Sequence, residues 1–136
     1  MKFLHGIALL FAAWALASCG RPTAGSDLIE LQRSRSGDLD VVLLSNDGTL
    51  SHEKDTMTVE FRRGDTLVDV GTVTAAATMP MAGLPEMRGS IFLTPADVRG
   101  RYMAETDLTM SGGWTLKIEW EGPAGKGAAS FDATVE

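Results

Sequence analysis

Three features of the sequence predict an all-β fold built as an antiparallel sandwich. Hydrophobic residues alternate with a period of two, turn chemistry separates the alternating runs, and no stretch from Leu28 onward carries an apolar stripe at helical spacing. A first run covers 28–33. In the second, 39–44, Leu39, Val41 and Leu43 alternate with Asp40 and Val42. The turn Asn46-Asp47-Gly48 follows, and 56–62 then sets Met57, Val59 and Phe61 against Thr58, Glu60 and Arg62. Gly64-Asp65 closes that run and opens a longer one, 67–78. Runs at 88–94 and 101–108 come next, and Ser111-Gly112-Gly113 turns the chain into 114–121. There Trp114, Leu116, Ile118 and Trp120 alternate with Thr115, Lys117, Glu119 and Glu121. After Gly122-Pro123, Ala129, Phe131, Ala133 and Val135 mark the inward side of 128–135. Eight short strands in about 110 residues suit two packed layers. Acidic side chains fall mostly at outward positions, as a solvated face requires.

Two details refine this outline. Val68 and Val70 occupy even positions, whereas Val73, Ala75 and Ala77 occupy odd ones, with Gly71 at the switch. One extra residue at a glycine predicts a β-bulge that returns the second half to the same face. Further on, Leu93-x-Pro95-x-Asp97 and then Gly100-x-Tyr102-x-Ala104 resemble the tyrosine corner of immunoglobulin-like domains, with one residue inserted. The resemblance implies an immunoglobulin-like β-sandwich of about seven to eight strands, with Tyr102 in a structural role. Ala104 stands where such domains carry a cysteine, so the layers must close without a disulfide. The simpler reading of Tyr102 is an ordinary half-buried tyrosine.

The 136 residues suit one domain with its own core. Twelve Lys+Arg against 18 Asp+Glu give a formal net charge of −6 and no basic field for gathering phosphates, which argues against nucleic acid as a partner. The single cysteine excludes an intrachain disulfide framework and a multi-cysteine zinc site. The first 18 residues hold 14 of the 60 hydrophobic ones and none of the acidic ones, so the remainder is more polar than the overall 44% suggests.

That apolar start reads as a targeting segment. Lys2 supplies a positive end, and Gly6 through Ser18 are uncharged, a run shorter than the roughly 20 residues a membrane-spanning helix needs. Leu16-Ala17-Ser18-Cys19, followed by Gly20, resembles a bacterial lipobox, in which cleavage precedes the cysteine and the thiol carries a diacylglyceryl group. The alternative is an ordinary secretory signal with Cys19 incidental. The expected organisation is a lipoprotein signal peptide at 1–18, a lipidated Cys19 with its tether at 19–27, and a β-sandwich domain at 28–136. Several acyl chains anchor stably where one alone is marginal. Gly20, being no aspartate, resembles the default for sorting to the periplasmic face of the outer membrane. Gly20 to Asp27 forms a tether of about 16 Å root-mean-square reach if flexible.

For catalysis the sequence offers no handle. His52 is the only histidine after the signal, no nucleophile or carboxylate pair stands out, and Asn46-Asp47-Gly48 lacks the spacing of a calcium loop. No organic substrate suggests itself. The unusual content is methionine: Met57, Met79, Met81, Met87, Met103 and Met110 remain beyond the signal. Three lie within Met79-Pro80-Met81-Ala82-Gly83-Leu84-Pro85-Glu86-Met87, whose prolines and glycine make a loop. Met57 and Met103 fit strand patterns and read as packing residues. If consecutive strands alternate in direction, the connections holding His52, Met79–Met87 and Met110 share one pole, away from Tyr102. Thioethers are soft ligands suited to Cu(I), with imidazole as an occasional partner, and they need no deprotonation. Three readings of this pole stand together: gap-filling at the open end of the core, a Cu(I) site, and an adaptable protein-binding surface.

Met79-Pro80-Met81 with the trailing Met87, then Gly100-x-Tyr102, then Met110-Ser111-Gly112-Gly113-Trp114-x-Leu116, resembles the YtkA-like/FixH-like family of exported bacterial domains. Val41-x-Leu43, the Asn-Asp-Gly turn and Thr58-Val59-x-Phe61 are also similar, so the resemblance spans most of 38–136. It implies a small non-enzymatic β-sandwich outside the cytoplasmic membrane, in a family associated with copper handling, oxidase assembly and metal efflux. It makes Met79, Met81, Met87 and Met110 candidate Cu(I) ligands and Trp114 a packing or shielding residue beside them. An envelope protein is the implied partner. This sequence differs from the family pattern in having no histidine within the methionine loop.

Overall fold

Every strand pairing in the computed structural model, which describes residues 27–136, is antiparallel. The expected signal peptide, Cys19 and the tether up to residue 26 lie outside the described residues. Nine strands follow in order: β1 (Ile29–Ser36), β2 (Leu39–Ser45), β3 (Glu53–Arg63), β4 (Thr66–Leu67), β5 (Thr72–Met79), β6 (Met87–Pro95), β7 (Arg101–Leu108), β8 (Gly112–Gly122) and β9 (Gly125–Val135). No helix occurs among the described residues, as the period-two pattern predicts. One layer has the order β1-β2-β3-β7-β6, with the short β4 beside β3; the other has β6-β5-β8-β9. Strand β6 serves both layers, pairing with β7 through Ser90–Pro95 and with β5 through Met87–Gly89. The result is an immunoglobulin-like two-layer sandwich, nearly closed around one side.

The long run expected at 67–78 is two strands rather than one bulged strand. Thr66–Leu67 pairs with β3 in the first layer, and Thr72–Met79 pairs with β8 in the second. Val68–Gly71 carries the chain between the layers, so the parity change at Gly71 is a change of sheet. Gly71 has φ +83°, and a Cβ there would lie 2.6 Å from the Glu121 carbonyl oxygen, so only glycine fits the crossing. The crossing is tied on its other side: Val68 N–H donates to the Phe61 carbonyl at 2.8 Å, and Phe61 N–H to that of Gly100 at 2.9 Å. The true irregularity of register lies in β1, between Glu30 and Gln32.

Inward residues match the alternation. Val41 faces Phe61 and Leu43 faces Val59 in the first layer, while Trp114, Leu116, Ile118 and Trp120 with Phe131 and Val135 line the second. Phe61 makes edge-on ring contacts with Trp120 at 5.1 Å and with Tyr102 at 5.6 Å, joining the layers at their centre. Ala104 is fully buried, and the layers do close without a disulfide.

Tyr102 differs from the corner motif in its partner. Its hydroxyl donates to the Gly71 carbonyl at 2.8 Å, 31 residues upstream, rather than to a nearby peptide of its own loop. It therefore pins the layer crossing to β7. Burial, with the charge of Asp69 adding to it, pushes its phenol above the ordinary tyrosine range.

The outer face of the first layer departs from a simple solvated surface. Asp40 and Glu60 point outward yet are buried beneath arginines. Arg35 and Arg33 both reach Asp40, at 2.8 and 3.3 Å, and Arg62 and Arg101 grip the two oxygens of Glu60. The guanidinium of Arg35, with help from Arg33, holds the Asp40 carboxyl below the usual carboxylate range. Beneath these pairs Val42 and Leu44 are also buried, so β2 is covered on both faces. Met57 is a core residue as expected, but Met103 is not: on β7 the even positions face inward, and Met103 lies half exposed on this outer face.

Candidate functional site

The up-and-down strand order gathers the methionine segments at one end of the sandwich. Glu53 pairs with Leu108, Met79 with Met87 and Gly112 with Val135, so the β2–β3, β5–β6 and β7–β8 connections share a pole. The turns beside Tyr102 occupy the other.

Met79 and Met87 close the β5–β6 ladder as register partners. Cross-strand partners hold their Cβ atoms about 5 Å apart on the same face, which lets two flexible thioethers approach one ion. Both side chains are half buried and pack against the core. The ε-methyl of Met79 lies where a Cβ of Gly112 would stand, and Gly112 has φ +130°, so the absence of a side chain there is what admits the thioether. The Thr109 hydroxyl donates to Met87 Sδ at 3.3 Å, which brings the β7–β8 turn against the same sulfur. Met81 lies two residues beyond the ladder, half buried, in a turn closed by Leu84 N–H donating to the Met81 carbonyl at 3.3 Å.

Met110 joins the pole through its neighbour in space. The buried Trp114 indole N–H donates to the Met110 carbonyl at 2.9 Å, fixing the turn while leaving the Met110 side chain 42% exposed. Trp114 belongs to the core cluster against which Met79 and Met87 pack, and so lies beneath the methionine segments.

His52 stands apart, on the β2–β3 side of the pole. Its backbone N–H and its ring Nδ1 both reach the Glu136 carbonyl oxygen at 2.7 Å. An acceptor oxygen requires Nδ1 to be the donor, which turns Nε2 away from Glu136. Glu136 follows Val135, the partner of Gly112, and so connects His52 to the strand against which Met79 packs. The structure brings Met79, Met87 and the Met110 turn together directly, and His52 only through this edge.

Among the described residues no group of three His, Cys, Asp or Glu side chains could hold a metal, and every buried side-chain nitrogen or oxygen has a partner. What the pole offers is soft sulfur, the His52 imidazole at its edge and exposed apolar surface, namely Met110 and Leu84. The arginine-clamped carboxylates of the outer face escaped sequence reading; the apolar Val42 and Leu44 on the outward face of β2, interleaved with inward Val41 and Leu43, were the available signal.

Fold and site together define a small antiparallel β-sandwich with a methionine-lined end. The chain belongs to the YtkA-like family, whose model matches residues 33–119. Among solved structures the filamin domain of Lin-41 is similar, with 14% identity over 68% of this chain and 90% of that one, at a TM-score of 0.44. No curated protein matches.

Proposed function

We propose that this protein is a non-enzymatic, lipid-anchored module of the bacterial envelope that binds and hands on Cu(I) through methionine thioethers. Supporting this reading is the pairing of Met79 with Met87 at a strand end, with Gly112 leaving room for Met79 and with Met81 and Met110 on the adjoining turns. Thioethers favour Cu(I) over harder ions and remain ligands at acidic pH because they carry no proton to lose. Two or three of them would hold the ion, with Trp114 as the apolar floor, and a receiver would take it by ligand exchange. His52 brings the one imidazole to the same end, as an occasional partner of thioethers. Cys19, when lipidated, supplies the anchor and leaves no thiol to compete for the metal; Gly20 favours the periplasmic face of the outer membrane.

Titration of the soluble domain with Cu(I), beside a Met79/Met81/Met87→Leu variant, tests the metal reading. Wild type should bind one equivalent and the variant should lose at least tenfold in affinity; equal binding would sink the copper hypothesis. The second reading is a structural or interaction lipoprotein whose same pole docks a membrane complex without metal, as in oxidase assembly or metal efflux. It is favoured by the 64% exposure of Leu84 at the loop tip. Loss of a membrane-complex pull-down on Leu84→Ser, with no Cu(I) binding by wild type, would support that reading instead.

A further inference from the structure

We infer that Thr109 is a positioning residue of the methionine site: its hydroxyl holds the Met87 sulfur beside Met79 before a metal arrives. This rests on the Cu(I) reading and adds to it the group that sets the affinity of the site.

The place of Thr109 follows from where two strands part. Strands β6 and β7 pair from Pro95–Tyr102 to Ser90–Asp107, and beyond that β6 turns to β5 and pairs Met87 with Met79. Continued at the same register, β6 and β7 would set Arg88 opposite Thr109 and Met87 opposite Met110, but the ladder stops short of them. Gly89 lies in the fork, where a Cβ would collide with Leu108 Cδ2 and crowd the Trp114 ring. Those two buried side chains occupy the fork. The Thr109 hydroxyl spans its open end, donating to Met87 Sδ at 3.3 Å.

This bond bears on metal binding through the freedom it removes. Met87 has an unbranched, flexible side chain and is only half buried, so fixing its sulfur on an ion costs rotamer entropy. Threonine is stiff at χ1, so its hydroxyl is a donor in a fixed place. A thioether sulfur is a weak acceptor with two lone pairs; the bond takes one and leaves the other for the metal. Met79 needs no such donor, because Gly112 lodges its ε-methyl. The two register partners are thus held by different means, one by packing and one by a hydroxyl. Groups that orient a metal's ligands in this way govern affinity by roughly 10–100-fold.

Cu(I) titration in competition with a chromophoric Cu(I) chelator tests this, on the full chain carrying Cys19→Ser so that no thiol competes for the metal. Thr109→Val keeps the branched shape and removes the hydroxyl, whereas Thr109→Ser keeps the hydroxyl. Thr109 is exposed, so both variants should fold with an unchanged Tm. Thr109→Val should weaken Cu(I) binding about tenfold, and Thr109→Ser by less than about twofold. In a Met87→Leu background Thr109→Val should cost nothing further, because the bond acts only through that sulfur. In metal-free protein labelled at the methionine ε-methyl carbons, Thr109→Val should move the NMR signal of Met87 and leave that of buried Met57 in place. Unchanged or tighter binding by Thr109→Val, an equal loss with Met87→Leu in place, or an unmoved Met87 signal would each overturn the role of Thr109 while the copper reading stands. A parent chain that takes up no Cu(I) would instead overturn the copper reading and this inference together.

Discussion

Replacing Tyr102 by Phe removes one oxygen and leaves the ring against Phe61. That oxygen donates to the Gly71 carbonyl at 2.8 Å, at the point where the chain passes between layers. A typical hydrogen bond contributes a net 0.5–1.5 kcal/mol, and a partner left unsatisfied in a buried setting raises the cost to about 1–3 kcal/mol. Gly71 is half buried, so water can partly replace the lost donor, and the expected loss is about 1.5 kcal/mol. In urea that is a midpoint lower by about 1 M, and in heat a Tm lower by roughly 6–10 °C for a domain of this size. The same group adds a pH signature. Burial raises the folded-state pKa of Tyr102 above its unfolded value. Its contribution is therefore complete below the ordinary tyrosine pKa of about 10 and is lost as pH rises through and beyond it. The stability gap between wild type and Tyr102→Phe should be constant near neutrality and shrink above about pH 10. Tyr102 is the only tyrosine in the chain, so tyrosinate absorbance follows its ionisation directly. A loss below about 0.3 kcal/mol, or a gap unchanged up to about pH 11, would refute the assignment of Tyr102 as the pin of the layer crossing.

Two further outcomes follow from neighbouring features. Gly71→Ala should destabilise by at least about 2 kcal/mol in urea unfolding, because left-handed backbone and a clash with the Glu121 peptide act together; combined with Tyr102→Phe, the losses should be less than additive, since both loosen one crossing. At the acid end, Glu30, Asp38, Asp40 and Asp47 are all held below the usual carboxylate range, the first three by arginines and Asp47 by the Thr49 peptide N–H. Their stabilisation is present above the unfolded carboxylate pKa of about 4 and disappears as pH falls through the lower folded values. Unfolding midpoints should decline below about pH 4, and Asp40→Asn should flatten that decline; an unchanged slope would remove Asp40 from the acid-sensitive set.

The strands were legible because alternation is a property of neighbouring residues. Trp114, Leu116, Ile118 and Trp120 can all be buried only if the chain is extended, whatever surrounds it. The convergence of the methionine connections was also legible, since antiparallel order alone sends every second turn to the same end. Met103 was not: a hydrophobic residue in an alternating run looks inward until the parity of its strand is fixed by Tyr102 and Ala104. Nor was the crossing at Gly71, where a bulge and a change of sheet leave the same shift of parity in sequence. The difference lies in which strand offers hydrogen bonds to Thr72–Met79, and that strand, β8, is some forty residues away.

The sequence by itself determined the class of structure, the turns, most of the core and the end at which sulfur collects, because these depend on spacing along the chain. Only the tertiary structure decided that Met79 and Met87 are partners, that Trp114 holds the Met110 turn and that the His52 ring is held against Glu136. It also decided that outward Asp40 and Glu60 are buried under arginines, and that Met103 lies half exposed on the same outer face. Each of these depends on what stands opposite a residue, and opposition between strands is set by pairing and packing across the whole domain.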